Sequence, residues 1–387
     1  MKKLKIGILG FGNMGSGHAE NIMTGKTHKI ELTAICDISD ERRKAAREKY
    51  PDIAVFNSAE DMYGSGLLEA VIIAVPHYDH PKYVMLALKN NLHVMCEKPA
   101  GVYTKQVLEM NEAAKKSDKK FAIMFNQRTN PNFKKIKEMI KSGQLGHIKK
   151  AIWIVTDWYR ADAYHRSGTW RGTWKGEGGG TIMNQNPHNL DLWQWLFGMP
   201  DKVTAFCYYG KYHDLECDDD VTAYFEYENG MTGIYTTSTA EAPGTNRLEI
   251  SCDMGKIVLE NDKLEFYRNE ISEREFNKIA TGFGVPDCWK SILTKPLANP
   301  VSQHSVALDN FADAIFENAP LITNGCEGIN EITLANSIYM SDWLGHKTIE
   351  TKNFDHEKYY EMLNDKIENS TFKKTADVKT MDTKGTY

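Results

Sequence analysis

Short apolar runs alternate with stretches of helical length through the first third of the chain. The apolar runs are KIGILG, ELTAIC, AVIIAV, HVMC and KFAIMF. Strands separated by helices of this length are typical of a parallel, doubly wound sheet, because each parallel pair needs a long crossover connection. The pattern therefore predicts an N-terminal Rossmann domain over residues 1–125.

A second pattern begins after Arg128, where apolar and polar residues alternate with a period of two. The alternating segments include KKAIWIVTD, KVTAFCYYG, VTAYFEYENGMTGIYTTST and NRLEISCDMGKIVLEN. They predict an open, mainly antiparallel sheet with hairpin turns at Asn229-Gly230 and Met254-Gly255. Helices are expected to cover one face and a partner subunit the other. We assign residues 126–347 to this α+β domain, which would bind substrate and form a homodimer or homotetramer.

Composition narrows the class of protein. The 387 residues suit two domains, and a net charge of −5 without a basic stripe argues against a nucleic-acid partner. No apolar run approaches the ~20 residues of a membrane span, so we expect no membrane partner. The sequence shows no signal-peptide pattern, and its seven scattered cysteines are typical of reduced thiols, which predicts a cytoplasmic protein.

Residues 348–387 are polar, which predicts a C-terminal arm that is either a surface arm or disordered.

The first apolar run is followed by the motif GFGNMG. Its residues are Gly10, Phe11, Gly12, Asn13, Met14 and Gly15. Between a strand and a helix this spacing is typical of dinucleotide binding, because the glycines allow a tight turn and a close approach of the pyrophosphate. Asp37 ends the second run, and its carboxylate can accept the ribose hydroxyls, which favours NAD over NADP. Arg42 and Arg43 would favour NADP, but we interpret them as the exposed face of the next helix.

Three strand ends are expected to meet at one crevice, because ligands lie at the carboxyl ends of parallel strands. The cofactor-binding candidates there are Val75, Pro76, His77, His80, Glu97 and Lys98. Lys98 is placed where a nicotinamide would lie. Gln127 and Arg128, at the third strand end, are candidates for binding substrate.

A long loop at 157–180 is rich in aromatic residues and arginine. Trp170 and Arg171 are its substrate-binding candidates, because aromatic faces stack on sugar rings and guanidinium groups donate to hydroxyls. The alternative interpretation is that the rings only anchor the loop to the core. One further cluster, His213, Cys217 and the aspartates at 218–220, suggests a metal site, but we interpret it as an acidic loop and predict no metal.

The next segment contains Asn184, His188 and Asp191, whose spacing of four and three residues predicts one shared helix face. Pro187 leaves two alternatives: a helix that begins at Pro187 with Asn186 as its cap, or a longer helix kinked there. In the first case His188 lies near the positive end of the helix dipole. That position favours the neutral imidazole that a general base requires.

These motifs together resemble the Gfo/Idh/MocA family of NAD(P)-dependent sugar and polyol oxidoreductases. The matching segments are GFGNMG, Glu97-Lys98-Pro99, Gln127-Arg128, and Gly178 to Gly180 with Asn184, His188 and Asp191, and the likeness extends to about Lys347. The resemblance implies that Lys98 and His188 are the catalytic pair.

Asn184 departs from the family pattern, since many sugar and inositol dehydrogenases of the family have Asp at this position. Asn cannot relay a proton, which argues against an inositol dehydrogenase. The stretch from Thr156 to Trp195 is similar to a subgroup that acts on glycosides and anhydrosugars, and some of these relatives oxidise the C3 hydroxyl of a pyranose ring.

The resulting hypothesis is reversible oxidation of a secondary ring hydroxyl of a sugar, glycoside or polyol, with NAD as cofactor. His188 would be the general base, and Lys98 would stabilise the developing alkoxide. Gln127, Arg128, Arg171, Asn184 and Asp191 would hold the other hydroxyls. Two alternatives stay open: an NAD-dependent glycosidase that oxidises its substrate transiently, and a non-catalytic sugar- or nucleotide-sensing regulator on the same fold.

Overall fold

The computed structural model describes residues 2–295 and 302–378. Its strands are β1 (Leu4–Leu9), β2 (Ile30–Cys36), β3 (Ala54–Phe56), β4 (Ala70–Ile73), β5 (His93–Cys96), β6 (Phe121–Ile123), β7 (Ile148–Val155), β8 (Lys202–Tyr209), β9 (Asp218–Glu226), β10 (Thr232–Ser238), β11 (Asn246–Cys252), β12 (Gly255–Glu260), β13 (Lys263–Asn269), β14 (Cys288–Ile292) and β15 (Ile349–Glu350).

The helices are α1 (Asn13–Met23), α2 (Asp40–Lys49), α3 (Ala59–Gly64), α4 (His80–Lys89), α5 (Thr104–Lys115), α6 (Pro131–Lys141), α7 (Asp162–His165), α8 (Thr181–Asn184), α9 (Pro187–Phe197), α10 (Glu273–Ile279), α11 (Gln303–Phe316), α12 (Gly328–Trp343) and α13 (His356–Glu368). Within the described ranges, no helix combines the length and the hydropathy that a membrane span requires.

The chain divides into two compact units. The first takes in the chain up to Thr129 and a later segment that ends at Ile332, and the second takes in the residues between them and the chain after Ile332. The sequence-based division placed this later segment in the second domain, whereas the structure places it in the first unit. Its helix α11 buries Leu308 and Phe311 in the same core as Ile6 and Ile30, so its apolar side belongs to the first unit.

The first unit is built on a six-stranded parallel sheet of order β3-β2-β1-β4-β5-β6. This is the strand order of a dinucleotide-binding Rossmann fold, and the predicted fold class is confirmed for this unit. Strands β1 and β4 are almost wholly buried, as expected where helices cover both faces of a parallel sheet. The carboxyl ends of these strands lie at the edge where ligands bind in such sheets.

The second unit contains a nine-stranded sheet of order β14-β13-β12-β11-β7-β10-β9-β8-β15. Neighbouring strands are antiparallel except β7 and β10, so the prediction of a mainly antiparallel sheet is confirmed. The turn at Asn229-Gly230 joins β9 and β10 as predicted, with Gly230 at φ +86°. On the covered face, Trp153 and Tyr235 are fully buried beside Trp193 of α9.

The other face of this sheet carries exposed aromatic side chains. Phe206 and Tyr208 of β8 and Tyr224 of β9 are each more than 40% exposed. The sequence predicts that a partner subunit covers this face of the sheet, and this stays a prediction.

The sequence-based prediction of a surface arm or disorder is wrong for the start of the C-terminal segment. Strand β15 pairs with β8, and α13 buries Tyr359 and Leu363 completely. The Tyr359 ring stacks on Trp343 of α12 with centroids 5.4 Å apart. Helix α13 therefore packs through two buried apolar side chains one helical turn apart, although its overall composition is polar.

Candidate functional site

The turn between β1 and α1 accepts only glycine at two positions. Gly10 has φ +91°, and a Cβ there would lie 2.3 Å from the Ala74 carbonyl oxygen. A Cβ at Gly15 would lie 1.8 Å from the Gly10 carbonyl oxygen. At Gly12 the nearest neighbour would be only the flexible Arg42 guanidinium at 3.5 Å, and no side chain caps the N-terminus of α1. This backbone therefore suits a pyrophosphate group, which needs close approach and free N–H donors.

Asp37 lies buried beside this turn. Its carboxylate accepts hydrogen bonds from the Phe11 N–H (2.7 Å) and the Ser39 N–H (2.8 Å). A carboxylate has about four acceptor positions, so two remain for ribose hydroxyls. The described residues of the first unit thus fit the phosphate and ribose of a dinucleotide.

The interpretation of Arg42 and Arg43 as an exposed helix face is confirmed for Arg42 and wrong for Arg43. Arg43 is turned inward, with its side chain only 12% exposed, and donates to the carbonyl oxygens of Asp37 and Ile38 at 2.8 Å. Arg42 is exposed, and its Nη1 lies 3.5 Å from the Asp37 carboxylate. The reason is that α2 begins directly after the β2 exit, so its first turn folds back over the free carbonyls there.

The strand exits after β4 and β5 are tied together by His80. Its Nδ1 lies 2.7 Å from the Pro99 carbonyl oxygen, and its Nε2 lies 2.8 Å from that of Val75. Burial lowers the pKa of this imidazole. Its neighbours Pro76 and His77 form the turn that begins at the β4 exit. The ring of His80 is thus engaged with backbone, and its predicted role toward a cofactor stays a prediction.

Glu97 and Lys98 follow β5 directly. The Glu97 carboxylate lies 2.6 Å from His18 Nε2 and accepts the Lys98 N–H at 3.2 Å. Burial alone would raise the pKa of Glu97, but the hydrogen bond from His18 and the charges of His18, His304 and Lys98 outweigh it and lower the pKa to about 2. Sequence reasoning missed His18 and His304; the only available signal for His18 was its place on the inner side of α1.

Gln127 and Arg128 follow β6 in a short helical turn. Arg128 is buried, and its Nη1 donates to the Glu327 carboxylate at 2.6 Å. This arginine therefore neutralises a carboxylate within the first unit, whereas Gln127 is half-buried.

The aromatic loop of the second unit is organised around Tyr164. Its hydroxyl oxygen lies 2.6 Å from Arg171 Nη1, 3.0 Å from Gln185 Nε2 and 3.1 Å from the Asn184 side-chain oxygen. The Arg171 guanidinium also stacks on the rings of Tyr164 and Trp170, with distances of 4.3 and 4.5 Å to the centroids. The structure thus brings the predicted residues Trp170, Arg171 and Asn184 together.

Glu177 completes this cluster and was missed by sequence reasoning. Its carboxylate accepts the Gly172 N–H at 2.6 Å, accepts the Asn184 amide, and lies 4.0 Å from Arg171. Burial raises the pKa of Glu177, although the Arg171 charge opposes this rise. The local GEGGG sequence has no periodicity that would have revealed a buried acid.

Of the two alternatives at Pro187, the structure has the first: α9 begins at Pro187 with Asn186 at the cap position. Asn184 ends the separate helix α8, so the prediction that it shares a helix face with His188 is wrong. The cause is Pro187, which cannot continue the hydrogen-bond ladder of α8. His188 lies in the first turn of α9. Asp191, one turn later, is buried and accepts a hydrogen bond from Gln194 at 3.0 Å.

Asp218, at the start of β9, anchors the segment before α8. Its carboxylate accepts the N–H groups of Gly180 (2.7 Å) and Ile182 (2.9 Å) and the Tyr339 hydroxyl (2.6 Å). Its neighbours face elsewhere: Asp219 binds the backbone of the loop at 211–213, and Asp220 pairs with Lys211. The acidic cluster noted in the sequence is therefore divided among three separate structural roles.

Comparisons with known proteins match both units of the chain. A model described as the oxidoreductase family with an NAD-binding Rossmann fold matches residues 4–125, and a model of the GFO/IDH/MocA C-terminal domain matches residues 133–258. Together they span well over half of the chain.

Among curated relatives, the myo-inositol 2-dehydrogenase of Thermotoga maritima is 25% identical over 67% of this chain and 75% of its own length. The D-glucoside 3-dehydrogenase of Escherichia coli is 29% identical over 51% of this chain and 55% of its own length, so the match spans about half of that relative. The WlbA dehydrogenase of Bordetella pertussis, solved with NADH and UDP-GlcNAcA, superposes with a TM-score of 0.75 at 24% identity, covering 90% of this chain and 99% of that one. This last likeness shows the fold alone.

Proposed function

Because the chain belongs to the Gfo/Idh/MocA family of oxidoreductases and its first unit is an NAD-binding Rossmann fold, we propose that it oxidises a secondary ring hydroxyl of a sugar, glycoside or polyol reversibly with NAD. One observation carries the proposal. The glycine turn follows β1 and Lys98 follows β5, so both lie at the same carboxyl edge of one parallel sheet. Such an edge is where a dinucleotide and its reaction partner bind.

NAD, when bound, supplies the acceptor for the hydride. Lys98 donates a hydrogen bond to the reacting oxygen and stabilises the alkoxide charge that develops there. His188 takes the hydroxyl proton as general base, and its place in the first turn of α9 favours the neutral imidazole that this role needs. Pro99 follows Lys98 and disfavours helix there, which keeps the ammonium at the strand end.

The substrate-binding residues of the proposal are Gln127, Arg128, Trp170, Arg171, Asn184 and Asp191. The cluster of Arg171, Tyr164, Asn184 and Glu177 supports it, because it combines fixed donors and acceptors with aromatic faces, as binding of a ring with several hydroxyls requires. We place the substrate among glycosides and related sugars, with pyranose C3 as the position oxidised. The glucoside 3-dehydrogenase relative supports this choice.

The test is a measurement of reduced nicotinamide by absorbance after the protein is mixed with NAD and a panel of free sugars, glycosides, anhydrosugars and inositols. Lys98→Ala is expected to lose ~10²–10³-fold in turnover, as for removal of a donor to a developing oxyanion, while binding of NAD is unchanged. Lys89→Ala, an exposed lysine at the end of α4, is the matched control and should retain full turnover.

Near-normal turnover of Lys98→Ala would contradict the role of Lys98. If the wild type forms no reduced nicotinamide with any compound of the panel, the proposed oxidation is contradicted. If no reduced nicotinamide forms but an aglycone is released from a glycoside, the result would favour a glycosidase that oxidises its substrate transiently.

We also propose that the protein works as a homodimer or homotetramer in the cytoplasm. The exposed Phe206, Tyr208 and Tyr224 on the open face of the nine-stranded sheet support self-association through that face. The seven cysteines are all free thiols, which supports a reducing compartment. Light scattering of the wild type and of Tyr224→Glu tests the assembly, and an unchanged mass of the variant would contradict the assigned face.

A further inference from the structure

A buried polar pair links the helix that follows the glycine turn to the strand end that carries Lys98. His18 lies on α1, and its Nε2 is 2.6 Å from Glu97 Oε1. Their side chains are 1% and 5% exposed, although 79 residues separate them in the sequence. The other oxygen of the same carboxylate accepts the Lys98 N–H at 3.2 Å. A single carboxylate thus joins α1 to the backbone of Lys98.

The surroundings of the pair belong to the same unit. The His304 ring of α11 lies 5.6 Å from the His18 ring, and the Asn126 amide lies 3.3 Å from His304 Nδ1. The titratable groups that act on Glu97 are His18, His304 and Lys98. Burial of a carboxylate is costly unless it is hydrogen-bonded, so the bond from His18, together with the charges of His304 and Lys98, keeps Glu97 ionised at this position.

We propose that His18 is a positioning residue for the reaction: by donating to Glu97 it fixes the turn in which Glu97 holds the backbone of Lys98. The inference rests on the proposed function, since it concerns the placement of the Lys98 ammonium. His18 itself needs no contact with the substrate. A displacement of a reacting group by about 1 Å can lower a rate by ~10²-fold, so a loosened turn is expected to affect turnover far more than binding.

The test compares two substitutions of similar volume. His18→Leu removes the donor, whereas His18→Gln keeps an N–H donor that reaches the place of Nε2. We expect kcat to fall ~10–100-fold in His18→Leu, with the Kd of NAD and the KM of the sugar within about threefold of wild type. His18→Gln should recover most of this loss. The matched control is His93→Leu, because His93 begins the same strand β5 and accepts the Lys120 N–H at 2.8 Å, at the opposite end from Glu97.

A double substitution tests whether His18 acts through Glu97. If it does, His18→Leu should have little further effect on kcat in a Glu97→Gln background, since the effects of coupled residues are not additive. Equal kcat in His18→Leu and wild type, an equal loss in His18→Leu and His18→Gln, or multiplicative losses in the double variant would each overturn the inference.

Hydrogen–deuterium exchange gives a readout that does not depend on turnover. His18→Leu is expected to speed amide exchange both in the first turns of α1 and at residues 97–102, and His93→Leu should leave both segments unchanged. Unchanged exchange at 97–102 in His18→Leu would contradict the link. If the wild type shows no oxidation at all, the proposed function fails, and the exchange data still decide whether His18 holds the turn.

Discussion

Replacement of Asp218 is expected to destabilise the second unit far more than replacement of its neighbour Asp220. The buried Asp218 carboxylate accepts two backbone N–H groups, at Gly180 and Ile182, and the Tyr339 hydroxyl. Asp218→Ala leaves all three donors without this acceptor. At ~1–3 kcal/mol for each buried donor left unsatisfied, offset in part by the removal of a buried charge, the expected loss is about 4 kcal/mol in the free energy of unfolding.

Asp220→Ala is the matched control. Asp220 lies two residues further on the same strand and pairs with Lys211 near the surface. A surface pair contributes ~0–1 kcal/mol, so this variant should unfold close to wild type.

The assay is urea unfolding followed by tryptophan fluorescence. All eight tryptophans lie in the second unit, so the signal reports that unit without interference from the first. The midpoint of Asp218→Ala should fall well below those of wild type and Asp220→Ala with little change in slope. Equal midpoints for the two variants would refute the reasoning that Asp218 anchors the segment before α8.

Three further predictions concern the charged groups of the two units. Glu177→Gln is expected to raise the KM of the sugar ~10-fold in steady-state kinetics, because the Arg171 and Asn184 side chains lose a charged partner. The control Glu241→Gln, at an exposed position, should leave the KM unchanged. An unchanged KM in Glu177→Gln would contradict the role of Glu177 in binding the sugar. The pKa of Glu97 is lowered from its ordinary 4.5 to about 2, so the stability it contributes is present above pH 4.5 and is lost as the pH falls toward 2; acid unfolding followed by circular dichroism should show a weaker dependence on pH in this range for Glu97→Gln than for wild type. Asp37→Ala should weaken dinucleotide binding by ~10-fold, equivalent to about 1.4 kcal/mol, in a fluorescence titration with NADH. The control is Asp52→Ala, at an exposed position. Equal affinities of Asp37→Ala and wild type for NADH would contradict the assignment of Asp37 to the ribose.

The parts of the fold that the sequence predicts well are those with local signals. Strands β1, β2, β4, β5 and β6 are largely buried and read as short apolar runs, so the sequence predicts them together with a parallel sheet. The short strand β3 is only half-buried and was not predicted. The hairpin at Asn229-Gly230 follows from the need for positive φ in a tight turn. Gly10 and Gly15 were recognisable because strand, turn and helix follow one another directly in the chain.

The parts that sequence reasoning missed depend on contacts between distant residues. His18 and Glu97 meet across 79 positions, and no local pattern connects them. Glu177 is buried because Arg171, Asn184 and the Gly172 N–H surround it, and only the folded loop brings these groups together.

Two other differences come from local rules that pointed in the wrong direction. The spacing of four between Asn184 and His188 predicts a shared face only if both residues lie on one unbroken helix. Pro187 interrupts the helix between them. Helix α13 was missed because its composition is polar and its buried residues are only Tyr359 and Leu363.

The most direct test of the central claim follows the hydrogen that moves. The protein would be incubated with NAD and a substrate from the panel that carries deuterium on its ring carbons, and the NADH would be analysed by mass spectrometry. The account predicts NADH that contains one deuterium at the nicotinamide ring, formed by Lys98→Ala ~10²–10³-fold more slowly than by the wild type. NADH without deuterium would contradict direct hydride transfer from a ring carbon. An equal rate of labelled NADH formation by Lys98→Ala and wild type would contradict the role of Lys98.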